Sequence, residues 1–173
     1  MEKEAIQNKE KNFVSCVLYL HNDGKNIREF LKTVCGTMEQ NFEKYEIVCV
    51  NDCCMDDTIE EIHRYLGESN TRHVVSLINL SFYQGVEMAM NAGRDLAVGD
   101  FLFEFDRCLL DFEPSLIMDI YHKALEGYDV VAAAPKRNVA FTSRLFYAVY
   151  NLGAGPALRH AAFSGSAGGG VSV

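Results

Sequence analysis

Five short apolar runs, each followed by a stretch with helical character, constrain this chain more than any other feature. The runs are residues 13–20 (FVSCVLYL), 45–50 (YEIVCV), 73–80 (HVVSLINL), 101–105 (FLFEF) and 128–134 (YDVVAAA). The first is nearly continuous in apolar character, which suits a strand covered on both faces better than a half-exposed one. Behind it, Ile27, Phe30, Leu31, Val34 and Met38 recur at three- and four-residue spacing and predict an amphipathic helix from Asn26 onward. Asp57 or Thr58 can cap a second helix carrying Ile59, Ile62, Tyr65 and Leu66, which Gly67 is placed to end. Residues 85–96 hold small side chains, Ala89, Ala92 and Gly93, that allow close packing, and Gly99 marks the turn into the fourth run. Pro114 suits the first turn of a helix through Leu125, ended by Gly127. Strands alternating with helices imply an α/β chain with a mostly parallel sheet and right-handed crossovers.

Composition sets the outer bounds. With 173 residues and 49% apolar side chains, one compact domain is expected. The 24 acidic against 16 basic residues leave a net charge of -8, which argues against nucleic acid as a partner. No apolar run is long enough for a transmembrane helix. Residues 1–12 form a charged extension without the apolar core of a signal peptide, so a cytoplasmic location is expected. The six cysteines then read as reduced thiols, with Cys16, Cys35 and Cys49 at core positions. A further helix is expected over 143–152, closing a domain over 13–152. Residues 153–173, rich in Gly, Ala and Ser with Arg159 the only formal charge, read as a loosely docked tail.

In an open parallel sheet, ligands bind beyond the carboxyl ends of the strands. That directs attention to the loops 21–25, 51–57 and 106–113, which carry Asp23, then Asp52 with Asp56 and Asp57, then Asp106 with Asp111 and Glu113. Carboxylates gathered at one edge repel one another unless a cation or donor-rich ligand lies among them, which suggests Mg²⁺ or Mn²⁺ with a phosphorylated ligand. Asp56 and Asp57 read better as helix caps, whereas Asp52 and Asp106, each directly following a strand, read as ligand residues. The first loop, LHNDGKN, has neither the glycine-rich turn of a dinucleotide fold nor a phosphate loop ending in Lys and Ser or Thr. Cys53, Cys54 and Cys108 fall at the same sheet edge and could hold zinc or form a redox pair, but they lack a Cys-X-X-Cys pairing and read better as scattered thiols. His63 and His122 fall on predicted helices as surface or packing residues, and Met88, Met90, Phe146, Tyr147 and Tyr150 read as core.

Four segments in order, VSCVLYLHNDGKNI, YEIVCVNDCCMDDT, LSFYQGVEMAMNAGRDLAVGD and FEFDRCLLDFEPSLI, resemble the motifs of the family 2 glycosyltransferases with the GT-A fold. The third is most similar to the branch with dolichyl-phosphate mannosyltransferase and the undecaprenyl-phosphate sugar transferases, and the resemblance covers residues 13–151. It implies a Rossmann-like α/β/α sandwich and an enzyme that takes a sugar from a nucleotide-sugar donor, of the kind that builds cell-envelope polysaccharide. It also implies that the loop of Leu20, Asn22 and Asp23 touches the nucleobase, that Asp52 contacts the base or ribose, and that Asp106, the first acid of an Asp-X-Asp motif, serves the ribose and a diphosphate-bound Mg²⁺ or Mn²⁺. Gly85 and Glu87 match the family, and Gly85 counts with the donor-binding residues. No catalytic residue is implied. Cys108 stands at the second acid of Asp-X-Asp, a softer ligand than carboxylate. Asn51, Asp52, Cys53 and Cys54 replace the usual Asp-Asp-Gly-Ser run, Phe82 and Tyr83 replace an Arg-Asn pair, and Pro135 stands where an Arg is usual. Arg107, Lys136 and Arg137 are the basic residues that would compensate.

The resemblance leaves the acceptor open between a polyprenyl phosphate and a glycan. A phosphate acceptor is already ionised near neutral pH, so inverting displacement would need little help from a general base. Membrane contact would be peripheral, at the inner face, and self-association into a homo-oligomer stays open. Two other readings are a catalytically weakened homologue that acts as a binding or scaffolding subunit, and the donor-binding half of a longer enzyme.

Overall fold

A computed structural model describes residues 8–71, 74–135 and 160–165. The elements run β1 (Glu10–Leu20), α1 (Ile27–Asn41), β2 (Phe42–Asn51), α2 (Thr58–Glu68), β3 (Val75–Asn79), α3 (Val86–Leu96), β4 (Phe101–Phe105), α4 (Ser115–Leu125), β5 (Val130–Pro135) and β6 (His160–Gly165). They divide into two compact units, residues 1–110 and 111–173.

The first unit is a four-stranded parallel sheet in the order β3-β2-β1-β4. β1 is central, pairing β2 from Phe13 against Lys44 to Leu20 against Asn51 and β4 from Val14 against Phe101 to Leu18 against Phe105. The unbroken burial of Val14 to Leu18 follows from that position, because both faces of β1 are covered. On one face Val17, Val48 and Val50 pack against Ala89 and Met90 of α3. On the other, Cys16 and Cys49 lie beside Cys35 of α1, and burial pushes all three thiols up, Cys35 to about 11, so they stay protonated as small core residues. Alternate residues of each strand therefore face different helices, giving an α/β/α arrangement. Gly93 is where α3 comes closest to the sheet, since a Cβ there would collide with Val17 and lie 2.9 Å from Val50 Cγ2.

The opposite end of the sheet is held by side chains. The Ser15 hydroxyl donates to Glu46 at 2.6 Å and accepts the Gly99 amide at 2.9 Å, while Glu46 also accepts the Val98 amide at 2.8 Å. Ser15 is fully buried, and these bonds satisfy it while fixing where β4 begins.

The second unit contains α4, β5 and β6, with β5 and β6 paired in parallel from Val130 against His160 to Pro135 against Gly165. The expectation of five strands in one sheet is corrected here: β5 forms where the pattern places it, but its partner is β6. That strand lies within the stretch read as a tail, and its sequence HAAFSG can take an extended ladder although its composition suggests none. The helix expected over 143–152 and the site candidates Lys136 and Arg137 lie outside the described residues, as does His73.

Candidate functional site

Because all four strands of the first unit are parallel, Leu20, Asn51, Asn79 and Phe105 end at one edge. The chain leaves β1 to form α1 and β2 on one side and reaches β4 on the other, so the crossover direction reverses beside β1, the place where open parallel sheets take their ligands. The loops 21–26, 52–57 and 80–85 and the segment after Phe105 surround it.

Asp52 organises these loops. It is fully buried, and its Oδ1 accepts the Gln84 amide at 2.7 Å while Oδ2 accepts the Gly85 amide at 2.8 Å and the Tyr19 hydroxyl at 3.1 Å. Its own amide donates to the Leu20 carbonyl at 2.9 Å. Burial first, and then the bond to Asp52, push the Tyr19 hydroxyl well above its ordinary range, so it remains a donor. Gly85 has φ +85, a conformation that disfavours any side chain, and it turns the chain into α3, whose Ala89 amide donates to the Gly85 carbonyl.

His21 and Tyr83 form an aromatic pair above this anchor, with ring centroids 4.8 Å apart and planes inclined by 55°. His21 Nδ1 lies 2.7 Å from the Asp52 carbonyl, which only accepts, and Nε2 lies 3.4 Å from the Asn22 amide nitrogen, which only donates. These partners place the donor hydrogen on Nδ1 and leave Nε2 as the acceptor. Tyr83 is 59% exposed, Phe82 66% and Met55 93%, so the rim is apolar and aromatic. The family pattern gave no reason to expect this pair; the signal in the sequence was Phe82 and Tyr83 in place of Arg and Asn.

Asn22 holds φ +62, a left-handed conformation that Asn tolerates, and its Oδ1 accepts the Met55 amide at 2.7 Å. Cys53, at the glycine position of the family run, also lies in this region with φ +57. Asp23 is half-buried. Its Oδ2 accepts the His21 amide at 2.8 Å, its carbonyl accepts the amides of Asn26 and Ile27, and its amide donates to Thr58 Oγ1 at 2.8 Å. Burial raises its carboxyl above the usual range, countered in part by the His21 amide. Asp56 accepts the Gly24 amide at 2.9 Å, the Thr58 amide at 3.1 Å and the Thr58 hydroxyl. Burial acts to raise the Asp56 carboxyl, but those bonds outweigh it and hold it below the usual range. Asp56 therefore ties the first loop to the start of α2, while Asp57 precedes α2 without a capping bond from its side chain. Leu20 is wholly in the core and reaches the edge only through its backbone.

Asp106 follows β4 with its side chain 76% exposed, and the Arg107 Nε stands 3.7 Å from its Oδ1. Cys108 points the other way: it is 1% exposed, and its Sγ lies 3.7 Å from the Tyr19 carbonyl. Burial pushes this thiol up, with the charge of Asp23 adding to the effect. Cys53 Sγ faces the Leu80 carbonyl at 3.7 Å and Cys54 Sγ accepts the Asn22 amide at 3.3 Å, so the three thiols are spent on three different backbone groups. Asp111 and Glu113 belong to the second unit.

The implied Mg²⁺ or Mn²⁺ is tested by these donors. Hard cations take several oxygen ligands. Among the described residues no group of three or more His, Cys, Asp and Glu is arranged to hold a metal ion. Asp23, Asp52 and Asp56 spend oxygens on backbone amides, and Cys108 offers a protonated, buried sulfur. The described residues therefore do not supply the set of carboxylates by which a protein on its own holds a hard divalent cation. Among the described residues no helix is long and apolar enough to cross a membrane.

Comparison with known proteins places this geometry. The glycosyltransferase of Synechocystis sp. termed sll0501 is 30% identical over 142 residues, covering 79% of this chain and 43% of that protein. The Bacillus subtilis glycosyltransferase YkcC is 34% identical over 119 residues, 69% of this chain and 36% of its own length. The undecaprenyl-phosphate 4-deoxy-4-formamido-L-arabinose transferase of Pseudomonas syringae is 29% identical over 119 residues, 69% of this chain and 34% of that enzyme. The chain thus spans less than half the length of the curated relatives it matches. Among solved structures, glucosyl-3-phosphoglycerate synthase of Mycobacterium tuberculosis with Mn²⁺, UDP and phosphoglyceric acid superposes with a TM-score of 0.61 at 14% identity, over 86% of this chain and 52% of that one. Mannosyl-3-phosphoglycerate synthase of Rubrobacter xylanophilus gives 0.61 at 19% identity, over 82% and 48%. These likenesses show a shared GT-A fold. The family model described as glycosyl transferase family 2 matches residues 15–148, and the chain belongs to that family.

Proposed function

We propose that this chain binds a nucleotide sugar at the carboxyl edge of its sheet and carries the donor side of a sugar transfer to a polyprenyl phosphate. The observation that carries this reading is the anchoring of loops 21–26, 52–57 and 80–85 around Asp52, which leaves the His21–Tyr83 pair, Asn22 and Asp106 at one rim. The ring pair offers a stacking surface for a nucleobase, since every base has a π-face. The exposed Asp106 carboxylate can accept from ribose hydroxyls.

A polyprenyl-phosphate acceptor is the choice favoured by the relatives named as undecaprenyl-phosphate transferases. In such a transfer an acceptor phosphate oxygen forms the new bond to the anomeric carbon as the bond to the donor diphosphate breaks, and the nucleoside diphosphate departs. An acceptor with a pKa near 6 is already ionised, so no general base is required and the configuration inverts. What the chain supplies is position: a base on the aromatic pair and a ribose on Asp106 hold the anomeric carbon in place. The burial of Cys108 favours a second reading, a homologue that binds a donor or partner without turnover.

Calorimetric titration with UDP and GDP tests the binding claim. One nucleotide should bind, and Asp106→Ala should weaken it about tenfold, roughly one ribose hydrogen bond to a charged group. The exposed position of Asp106 should leave the fold unchanged. Neither nucleotide binding to a folded protein would contradict the reading.

A further inference from the structure

We propose that the donor site of this chain works without a divalent cation and that Arg107 meets the diphosphate charge instead. The inference rests on the nucleotide-sugar reading above.

Three observations carry it. First, the second acid position of Asp-X-Asp is occupied by Cys108, whose side chain has left the site for the core, 1% exposed and directed at the Tyr19 carbonyl. Its thiol is placed against the backbone of β1, at the residue whose hydroxyl donates to Asp52. Second, the acids nearest the rim are committed: Asp23 accepts the His21 amide, Asp56 accepts from Gly24 and Thr58, and both Asp52 oxygens are in use. Asp106 then offers one exposed carboxylate, so a cation here would be held by that group, the diphosphate and water, with no second protein acid beside it among the described residues. Third, Arg107 sits beside it at the end of β4, its side chain 58% exposed and its Nε 3.7 Å from Asp106 Oδ1, too long for a committed hydrogen bond. A guanidinium presents donors in a planar fork that matches phosphate oxygens, and it needs no neighbouring carboxylates to hold it. With a buried thiol at the second acid position and an exposed arginine one residue earlier, the end of β4 is better suited to meeting the anion directly than to holding a metal.

The test is calorimetric titration of the whole chain with UDP and with GDP, in EDTA and in excess Mn²⁺, repeated with Arg107→Gln. The Kd of the nucleotide that binds should agree within about twofold between EDTA and Mn²⁺, and Arg107→Gln should weaken it about tenfold in both. Tightening by about tenfold or more in Mn²⁺ overturns the proposal while leaving nucleotide binding intact. Metal-independent binding that Arg107→Gln does not change overturns the assignment of Arg107. Absence of binding under every condition, with the circular dichroism of a folded protein, removes the nucleotide-sugar reading and this inference together.

Discussion

Asp52→Asn should lower the unfolding free energy by about 3 kcal/mol, because a buried carboxylate that accepts three hydrogen bonds becomes an amide with one accepting atom. If the remaining oxygen keeps the Gly85 amide and the Tyr19 hydroxyl, the new NH₂ group faces the Gln84 amide, donor against donor. Turning the side chain over moves the conflict to the Gly85 amide, since the Tyr19 hydroxyl can accept from the NH₂ group but a backbone amide cannot. Tyr19→Phe removes one donor and leaves both backbone bonds, so it should cost about 1 kcal/mol. Denaturant unfolding with an unchanged slope separates the two. The same Asp52→Asn change should weaken nucleotide binding, since the 80–85 loop that carries Tyr83 is held by the Asp52 side chain. A loss equal to that of Tyr19→Phe would show that the loops are held by something else.

Gly99→Ala should destabilise by about 3 kcal/mol, at the upper end of overpacking, because the obstruction is backbone. A Cβ there would stand 2.6 Å from the Ser15 nitrogen, 2.7 Å from its Oγ and 2.9 Å from the Phe13 carbonyl oxygen. Strand β1 cannot yield, being paired on both sides. The chain at this turn is also clamped by the Gly99 amide on Ser15, the Asp100 amide on Phe13 at 2.7 Å and the Phe13 amide on Asp100 at 3.0 Å. This clamp sets Val14 against Phe101, and hence where Asp106 emerges five residues later. Thermal unfolding of the variant checks the magnitude; a change below about 1 kcal/mol would mean that the turn can shift away from β1.

Much of the fold was legible because burial on two faces writes itself into strand sequences. The run 101–105 coincides with β4, and the apolar spacing from Ile27 to Met38 lies within α1 and is buried throughout. The edges were less legible. Gly67 does not end α2, which continues to Glu68, and β3 starts at Val75 rather than at residue 73. The alanine-rich β6 shows no alternation to betray a strand. At the site, the acids after β2 and β4 could be found from their place behind apolar runs, but not the direction of their side chains. Asp52 turns inward because its partners, Gln84 and Gly85, are brought to it by the packing of α3 on β1 and β2, from more than thirty positions along the chain. Cys108 turns inward for the matching reason, a short apolar side chain beside the buried end of β1. The aromatic pair needs Tyr83 on a loop shaped by Gly85, and nothing local specifies its meeting with His21.

Heteronuclear NMR of the labelled protein titrated with UDP and GDP, read at the backbone amides, reports whether a nucleotide is held at the carboxyl edge of the sheet. Shifts should concentrate at the amides of residues 21–25, 51–57, 81–85 and 106–107, with His21 and Tyr83 among the most affected. Perturbations centred on Ser15, Glu46 and Gly99 at the opposite edge, or none with either nucleotide, would contradict that placement.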